Sequence, residues 1–116
     1  MENKIFCGEV VRGKGRGREL GFPTANLDAA GIDLEYGVYL VEVELEGKKY
    51  AGLMNFGPKK TFGEPAAAEI LIKDFNRDIY GKEICIKAIK KIRDIEKFNS
   101  VEELKVRIAR DIEENL

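Results

Sequence analysis

Residues 38–56, which decide the fold of this chain, read VYLVEVELEGKKYAGLMNF. In residues 39–45 the apolar side chains fall on every second position and glutamates occupy positions between them, the period of a half-buried strand. Glu46-Gly47 then supplies a turn, and the chain returns through residues 48–56 with its large apolar side chains on one face. This stretch predicts a β-hairpin with one buried face.

Three more segments carry strand signals, residues 5–11, 68–73 and 84–92, and turn residues between 76 and 81 separate the last two. Near the end, residues 100–103 have the spacing of a helix capping box. Apolar side chains then recur at helical intervals at Val101, Leu104, Ile108 and Ile112. Many short strands and one amphipathic C-terminal helix predict an antiparallel barrel whose surface the helix partly covers.

Length and composition narrow the possible classes of function. The 116 residues suit one domain, and 44% hydrophobic with 35% charged residues are typical of globular proteins. The net charge of -1 provides no field that would attract nucleic acid. No apolar run approaches the roughly 20 residues of a membrane span, and residues 1–4 lead into a strand without a signal sequence. We therefore expect a single domain over residues 1–116, monomeric and cytoplasmic, that binds neither nucleic acid nor membrane.

The cysteines and the missing histidines exclude several kinds of site. Cys7 and Cys85 lie far apart in sequence, and in a reducing compartment we interpret them as small buried apolar residues rather than a disulfide. The chain has no histidine, which removes thiolate–imidazole metal sites and every mechanism that needs a histidine base.

The most unusual stretch is GKGRGRELG at residues 13–21. Its four glycines allow the backbone to approach a ligand closely, while one lysine and two arginines bring positive charge to the same place. The stretch can cradle phosphates, although it lacks the spacing of a P-loop, and the alternative interpretation is a solvated basic loop.

Two oxygen-bearing side chains follow this loop, and an acidic residue stands alone further along the chain. Thr24 and Asn26 are two residues apart, so on an extended segment they project to the same side, where hydroxyl and amide oxygens suit Mg²⁺. Their alternative role is local bonding to the backbone. Glu69 lies in an apolar segment and could accept a proton from an alcohol, or simply occupy the solvent face of a strand with Lys73.

Taken together these residues resemble the riboflavin kinase (flavokinase) family, whose sequences run G-x-V-x-x-G-x-G-R-G-R-x-L-G-F-P-T-A-N near the start. Here Gly8 through Asn26 match almost without interruption. The match extends over nearly the whole chain, and its further elements are Gly37-Val38-Tyr39, Met54-Asn55-Phe56-Gly57, Thr61-Phe62-Gly63, Glu69, Asp74-Phe75, Tyr80-Gly81, Ile92-Arg93, Lys97-Phe98 and Glu103-Leu104.

The resemblance implies a fold, a reaction and a set of site residues. The fold is all-β with one C-terminal helix, a six-stranded antiparallel Greek-key barrel, and the reaction uses ATP and Mg²⁺ to convert riboflavin into FMN. Thr24 and Asn26 correspond to the metal ligands and Glu69 to the catalytic acid. The implied nucleotide-binding residues are Gly13, Lys14, Gly15, Arg16, Gly17, Arg18, Gly21, Pro23, Thr24 and Asn26. The implied flavin-binding residues are Arg93, Phe98 and Leu104.

Two departures from the family pattern stand out. Lys60 replaces the usual proline before Thr61-Phe62, and Leu71 stands where bacterial members often have a histidine. Bacterial members are commonly fused to an FAD-synthesising domain, which this chain has neither the length nor the histidines to include. The alternative to the enzyme is a catalytically weak flavin-binding or regulatory barrel; retention of Thr24, Asn26 and Glu69 favours the enzyme.

Overall fold

Six antiparallel strands close into a barrel in the computed structural model, which describes residues 4–11, 24–28, 31–57, 67–75 and 77–116. The strands are β1 (Ile5–Val11), β2 (Thr24–Asp28), β3 (Gly37–Leu45), β4 (Lys48–Gly57), β5 (Ala67–Ile72) and β6 (Glu83–Arg93). Their order around the barrel is β1-β2-β5-β4-β3-β6, so the β2–β3 and β5–β6 connections skip neighbours in a Greek-key manner. Closure leaves no unpaired edge, and the predicted fold class is confirmed.

The hairpin of β3 and β4 forms as the alternating pattern predicts. Val41, Val43 and Met54 have no exposed surface and lie inside the barrel. The turn residues Glu46 and Gly47 both have positive φ, 51° and 80°, the backbone that a tight two-residue hairpin of this twist requires. The barrel interior is therefore apolar, and chemistry must take place on its outer face or at its ends.

Helix α1 (Val101–Asn115) begins at the predicted capping box. Ser100 Oγ accepts a hydrogen bond from the Glu103 backbone N–H at 3.2 Å, and the Glu103 carboxylate accepts one from Asn99 N at 3.1 Å. Of the apolar residues predicted to share one face, Val101 at the first position is 59% exposed, whereas those in the next three turns are half-buried. No helix in the described part of the chain is long and apolar enough to cross a bilayer.

The helix covers part of the outer face of the barrel. Val38 and Leu53 point outward, since their strand neighbours fill the interior, yet they are only 4% and 6% exposed. Arg93, which pairs with Val38 in the sheet, reaches Asp111 on α1, so the helix lies beside this part of the barrel. Its C-terminal end is held separately, because Lys73 Nζ donates to the Leu116 carbonyl at 3.2 Å.

A disulfide joins Cys7 and Cys85, so the interpretation of these residues as buried free thiols was wrong. Although 78 residues separate them in sequence, they lie directly opposite each other where β1 pairs with β6. Both occupy outward positions, with Cys7 exposed and Cys85 half-buried. Sequence distance misled the prediction because barrel closure brings the first and last strands together.

Charged clusters occupy both ends of β3. At its start, Lys91 Nζ lies 2.6 Å from Asp94 Oδ1 and 3.1 Å from Glu35 Oε2. The hydrogen bond that Lys91 donates to Asp94, then the one that it donates to Glu35, raises the pKa of Lys91, and the same bond from Lys91 lowers the pKa of Asp94. At the far end, Glu46 in the turn bonds both Arg77 and Lys82. These contacts fix the connecting segments around the barrel.

Candidate active site

A row of three polar side chains crosses the outer face of the barrel on β2, β5 and β4. Asn26 pairs directly with Glu69, and Glu69 pairs on its other side with Asn55. Directly opposite residues of antiparallel strands share one face, with Cβ atoms about 4.5–5.5 Å apart. Thr24 belongs to the same face, since it is half-buried like Asn26 while Ala25 between them is buried. The register thus brings together Thr24, Asn26 and Glu69, the residues predicted for metal binding and catalysis.

Glu69 is a carboxylate with no cation partner among the residues that the structure describes. It is half-buried, and among the described residues no side chain forms a hydrogen bond or ion pair with it. Its outward neighbours along β5 are the apolar Ala67 and Leu71, and amide side chains stand on the two adjacent strands. A carboxylate with free lone pairs can accept a proton from a hydroxyl placed against it.

Asn55 is the member of this row that no prediction from the sequence singled out as a site residue. It is exposed, between Met54 and Phe56, whose side chains are buried in the core. The sequence did contain a sign that Asn55 has a particular role, because asparagine is disfavoured within strands. The pairing partner of Asn55, however, became known only from the sheet register.

The glycine- and arginine-rich loop lies outside the described residues. This applies to the predicted nucleotide-binding residues Gly13, Lys14, Gly15, Arg16, Gly17, Arg18, Gly21 and Pro23, and also to Lys60. The loop ends where β2 begins at Thr24, so it enters the sheet on the strand that carries Asn26. Its role as a nucleotide flap stays a prediction.

The predicted flavin residue Arg93 is engaged with the helix. Its guanidinium donates to the Asp111 carboxylate from Nη2 at 2.8 Å and from Nε at 3.1 Å. Asp111 is 4% exposed and is the buried charged residue of the described chain. Arg107 adds a second positive charge, with Nε 3.4 Å from Asp111 Oδ1 and Nη2 3.4 Å from Glu96 Oε1. Arg93 therefore fastens α1 to the end of β6.

An open groove of about 500 Å³ lies between the segment that follows β6 and the first half of α1. Phe98 and Val106 supply its apolar surface, and charged side chains from both elements form its rim. Leu104 is half-buried on α1 and is not among the described residues that line this groove. Of the three predicted flavin-binding residues, the structure thus places Phe98 at an open surface.

Directly paired residues of neighbouring strands connect the polar row to the region of the groove. Asn55 pairs with Val38 on β3, and Val38 pairs with Arg93 on β6, so one row runs from Asn26 to Arg93. With strands about 4.8 Å apart, Glu69 and Arg93 are separated by three strand spacings, on the order of 14 Å. Ile95, just beyond Arg93, lies over Gly57 on β4. A Cβ atom at position 57 would be only 3.3 Å from Ile95 Cδ1. Glu69 therefore lies between the Thr24/Asn26 pair and the segment that borders the groove.

Comparison with known proteins identifies the family. The family model described as Flavokinase, riboflavin kinase, matches residues 2–116. The chain belongs to the riboflavin kinase family. It is 44% identical over 110 residues to the RNA-binding riboflavin kinase RibR of Bacillus subtilis, covering 93% of this chain and 48% of that protein. It is 40% identical to the bifunctional riboflavin kinase/FMN adenylyltransferase of the same organism, covering 92% of this chain and 36% of that protein.

The chain spans less than half of the length of each of these curated relatives. Among solved structures, a Streptococcus pneumoniae chain described as a macrolide-efflux protein is 40% identical with a TM-score of 0.89, over 97% of this chain and 38% of that one. Riboflavin kinase from Trypanosoma brucei is 23% identical with a TM-score of 0.65, over 99% of this chain and 78% of that one. The second likeness supports the fold alone.

Proposed function

We propose that this chain is a riboflavin kinase that transfers the γ-phosphate of ATP to the ribityl 5′-hydroxyl of riboflavin, giving FMN and ADP. Family membership over residues 2–116 supports the reaction. The observation that carries the proposal is the position of Glu69, an outward carboxylate without a cation among the described residues and flanked by amides on both neighbouring strands.

Glu69 acts as the general base. As the 5′-oxygen of riboflavin attacks the γ-phosphorus, its proton passes to the Glu69 carboxylate, the bond between the γ-phosphorus and the bridging oxygen breaks, and ADP leaves with that oxygen. Phosphoryl transfer depends mainly on positioning and charge neutralisation, so the carboxylate chiefly orients the hydroxyl. The neighbouring outward side chains on β5, Ala67 and Leu71, are apolar and cannot accept a proton, so Glu69 is the acceptor on this face of the strand.

The residues present fit a magnesium ion that travels with the nucleotide. Mg²⁺ in such sites takes one or two protein oxygens and fills its shell with water and phosphate. Thr24 and Asn26 present a hydroxyl and an amide oxygen on one outer face. No group of three or more acidic, histidine or cysteine side chains that could cage a metal occurs among the described residues. When bound, the ion would neutralise phosphate charge and hold the nucleotide against β2.

A direct assay tests the proposed reaction. The purified chain is incubated with riboflavin, ATP and Mg²⁺, and FMN is separated by chromatography. We expect FMN to accumulate with one ADP per FMN. Riboflavin binding, followed by flavin fluorescence, without any FMN would contradict the proposal and favour the alternative of a flavin-binding or regulatory barrel.

The magnesium assignment has its own test. Thr24→Ala or Asn26→Ala removes one oxygen ligand from a hard cation, so we expect a higher Mg²⁺ requirement with riboflavin affinity nearly unchanged. Lys49→Ala, at an exposed position of β4, serves as the control. Wild-type turnover of both variants across a Mg²⁺ titration would contradict this assignment.

We further propose that residues 1–116 act as one monomeric, cytoplasmic domain whose ligands are riboflavin or FMN and ATP or ADP. The net charge of -1 gives no general attraction for RNA. One relative is named as RNA-binding, but this chain covers only 48% of it. Absence of an RNA mobility shift at low salt and a monomeric mass by light scattering are the expected results.

A further inference from the structure

We propose that Cys7 and Cys85 form a reversible thiol–disulfide exchange site, which a dithiol reductant opens and a disulfide oxidant closes while the barrel stays folded. The redox state of this site sets how firmly β1 closes the barrel against β6. The site is separate from the proposed function, because it contains none of the residues assigned to the kinase reaction.

The disulfide lies on the outer face of the barrel. Cys7 is exposed on β1, and Cys85 is half-buried on β6 between Ile84 and Ile86, which are 1% and 0% exposed and fill the interior. A reagent in solution can therefore reach the bond at Cys7 without opening the core. Disulfides that are open to solvent are the ones that reagents reduce readily, in contrast to buried structural bonds.

The two cysteines stay opposite each other when the bond is open, because backbone pairing holds β1 against β6 on both sides of them. Toward the start of β1, Ala88 N donates to the Lys4 carbonyl at 3.0 Å, and toward its end Val10 N donates to the Lys82 carbonyl at 2.8 Å. Five consecutive residue pairs lie between these bonds, with the cysteines as the middle pair. The sheet thus keeps the two thiols together, and the bond can form again without refolding.

Exchange opens the bond in two steps. A thiolate of the reductant attacks Cys7 Sγ, the disulfide breaks, and Cys85 leaves as a thiolate that takes up a proton. The second thiolate of the reductant then attacks its own sulfur in the mixed disulfide and releases Cys7, which is protonated in turn. Two electrons and two protons pass to the protein, and the dithiol becomes a disulfide. Closure by a disulfide oxidant is the reverse reaction.

Acidic side chains surround the bond and select the reagent by charge. Glu9 and Glu83 face each other at the next outward positions of β1 and β6, and Glu44 on β3 pairs with the cysteine of β6. All three are exposed. Lys87, the outward neighbour on the other side, is half-buried and pairs with Glu42. Among the described residues the bond therefore faces mostly negative charge, which disfavours anionic thiols and favours a dithiol partner with a basic rim.

Opening the bond loosens the closure of the barrel. β1 is joined to β2 by two directly paired residues but to β6 by five, so β6 is its main attachment. The bond crosses this attachment and links residues that are 78 apart in sequence. A cross-link between distant segments restricts the unfolded chain and so stabilises the fold. In a reducing compartment the open, less stable form prevails, and oxidising conditions produce the closed one.

The first test follows the thiols of the full chain at 25 °C without denaturant. Dithiothreitol is added, free thiols are alkylated with iodoacetamide and counted by intact mass, and a second portion is returned to oxidised glutathione. We expect two alkyl groups per chain after reduction and none after reoxidation. The melting temperature of the reduced form should be lower by on the order of 10 °C. The double variant Cys7→Ser with Cys85→Ser should melt like the reduced chain with or without either reagent.

Three results would overturn the exchange site. Alkylation only in the presence of denaturant would show a structural bond that is closed to reagents. A reduced chain that is unfolded at 25 °C would show that the bond cannot open in the folded barrel. Equal melting temperatures of the two forms would remove its role in barrel closure.

The second test measures the charge selection in the first exchange step. Reduction rates with cationic cysteamine and anionic mercaptoethanesulfonate are each divided by the rate of the same thiol with an uncharged model disulfide. We expect about a tenfold preference for cysteamine at low salt, which falls toward one in 0.5 M salt. Glu9→Gln with Glu83→Gln should reduce the preference, whereas Glu113→Gln, exposed on α1, is the control. Equal normalised rates at low salt would overturn the assignment of a basic partner.

Discussion

Two carboxylates on the outer side of the barrel have opposite surroundings. Asp111 on α1 is 4% exposed and is shared by the guanidinium groups of Arg93 and Arg107. Glu69 on β5 is half-buried and has no cation among the described residues, only amides to either side. A buried charge that is fully paired holds elements together, whereas one left with free lone pairs can exchange a proton. The structure thus separates the charge that fastens the helix from the charge available for catalysis.

The largest effect is expected at the unpaired carboxylate. Glu69→Gln keeps the shape and removes the basic oxygen, so we expect kcat to fall by about 10²- to 10⁴-fold, the usual worth of a general base. Riboflavin affinity and melting temperature should stay nearly unchanged. Glu44→Gln, at an exposed outward position of β3, is the matched control and should retain full activity. Rapid-quench measurement of FMN formation separates the chemical step from product release.

A wild-type rate in Glu69→Gln would show that Glu69 is an ordinary acidic residue on a strand surface. It would also remove the distinction drawn between the two carboxylates. A variant with a strongly lowered melting temperature would equally contradict it, since Glu69 would then contribute to the fold.

The paired carboxylate should affect stability instead of chemistry. Asp111→Ala removes the buried partner of Arg93, whose side chain is 12% exposed, and leaves the guanidinium only the more exposed Glu96 at 3.9 Å and the Asp94 carbonyl. We expect a loss of about 3 kcal/mol in the free energy of unfolding, the lower end for breaking a buried pair. Urea unfolding measures the loss.

The same helix carries a control for Asp111→Ala. Glu114 forms an exposed pair with Arg110, with side chains 56% and 62% exposed, so Glu114→Ala should cost far less stability than Asp111→Ala. Replacing both partners of the buried pair, Arg93→Met with Asp111→Leu, should recover much of the loss. Equal losses for Asp111→Ala and Glu114→Ala would contradict the role of Asp111 as the anchor of α1.

Local pattern was sufficient for the strands but not for the site. Alternation predicted the β3–β4 hairpin, and the capping box predicted the first turn of α1, because both depend on residues close in sequence. The row of Asn26, Glu69 and Asn55 depends on which strands pair and in what register, and only the Asn26 and Glu69 roles could be taken from family resemblance.

Contacts between distant segments explain what was missed. Cys7 and Cys85 were interpreted as buried thiols because 78 residues separate them and a reducing compartment was expected, whereas the closing β1–β6 pair makes them neighbours. The contact between Arg93 and Asp111 was also not predicted from the sequence, and the assignment of Arg93 to the flavin stays a prediction. A buried aspartate on a helix offers no local clue to its partner.

The smallest expected effect lies at a third kind of carboxylate, one that is paired but exposed. Glu46 in the β3–β4 turn bonds Arg77 and Lys82, and these contacts, Arg77 first, lower its pKa. A lowered pKa in the folded state adds stability above the ordinary pKa of glutamate, and this stability is lost as pH falls through the folded value. Glu46→Gln should therefore be slightly less stable than wild type at pH 7, with the difference vanishing toward pH 3.

Because the pair is open to solvent, 0.5 M salt should also reduce the difference. Urea midpoints at both pH values and both salt concentrations measure this, with Glu44→Gln on the same hairpin as control. A difference that persists at pH 3 would show that Glu46 acts through the turn backbone, where its φ is 51°, rather than through its charge.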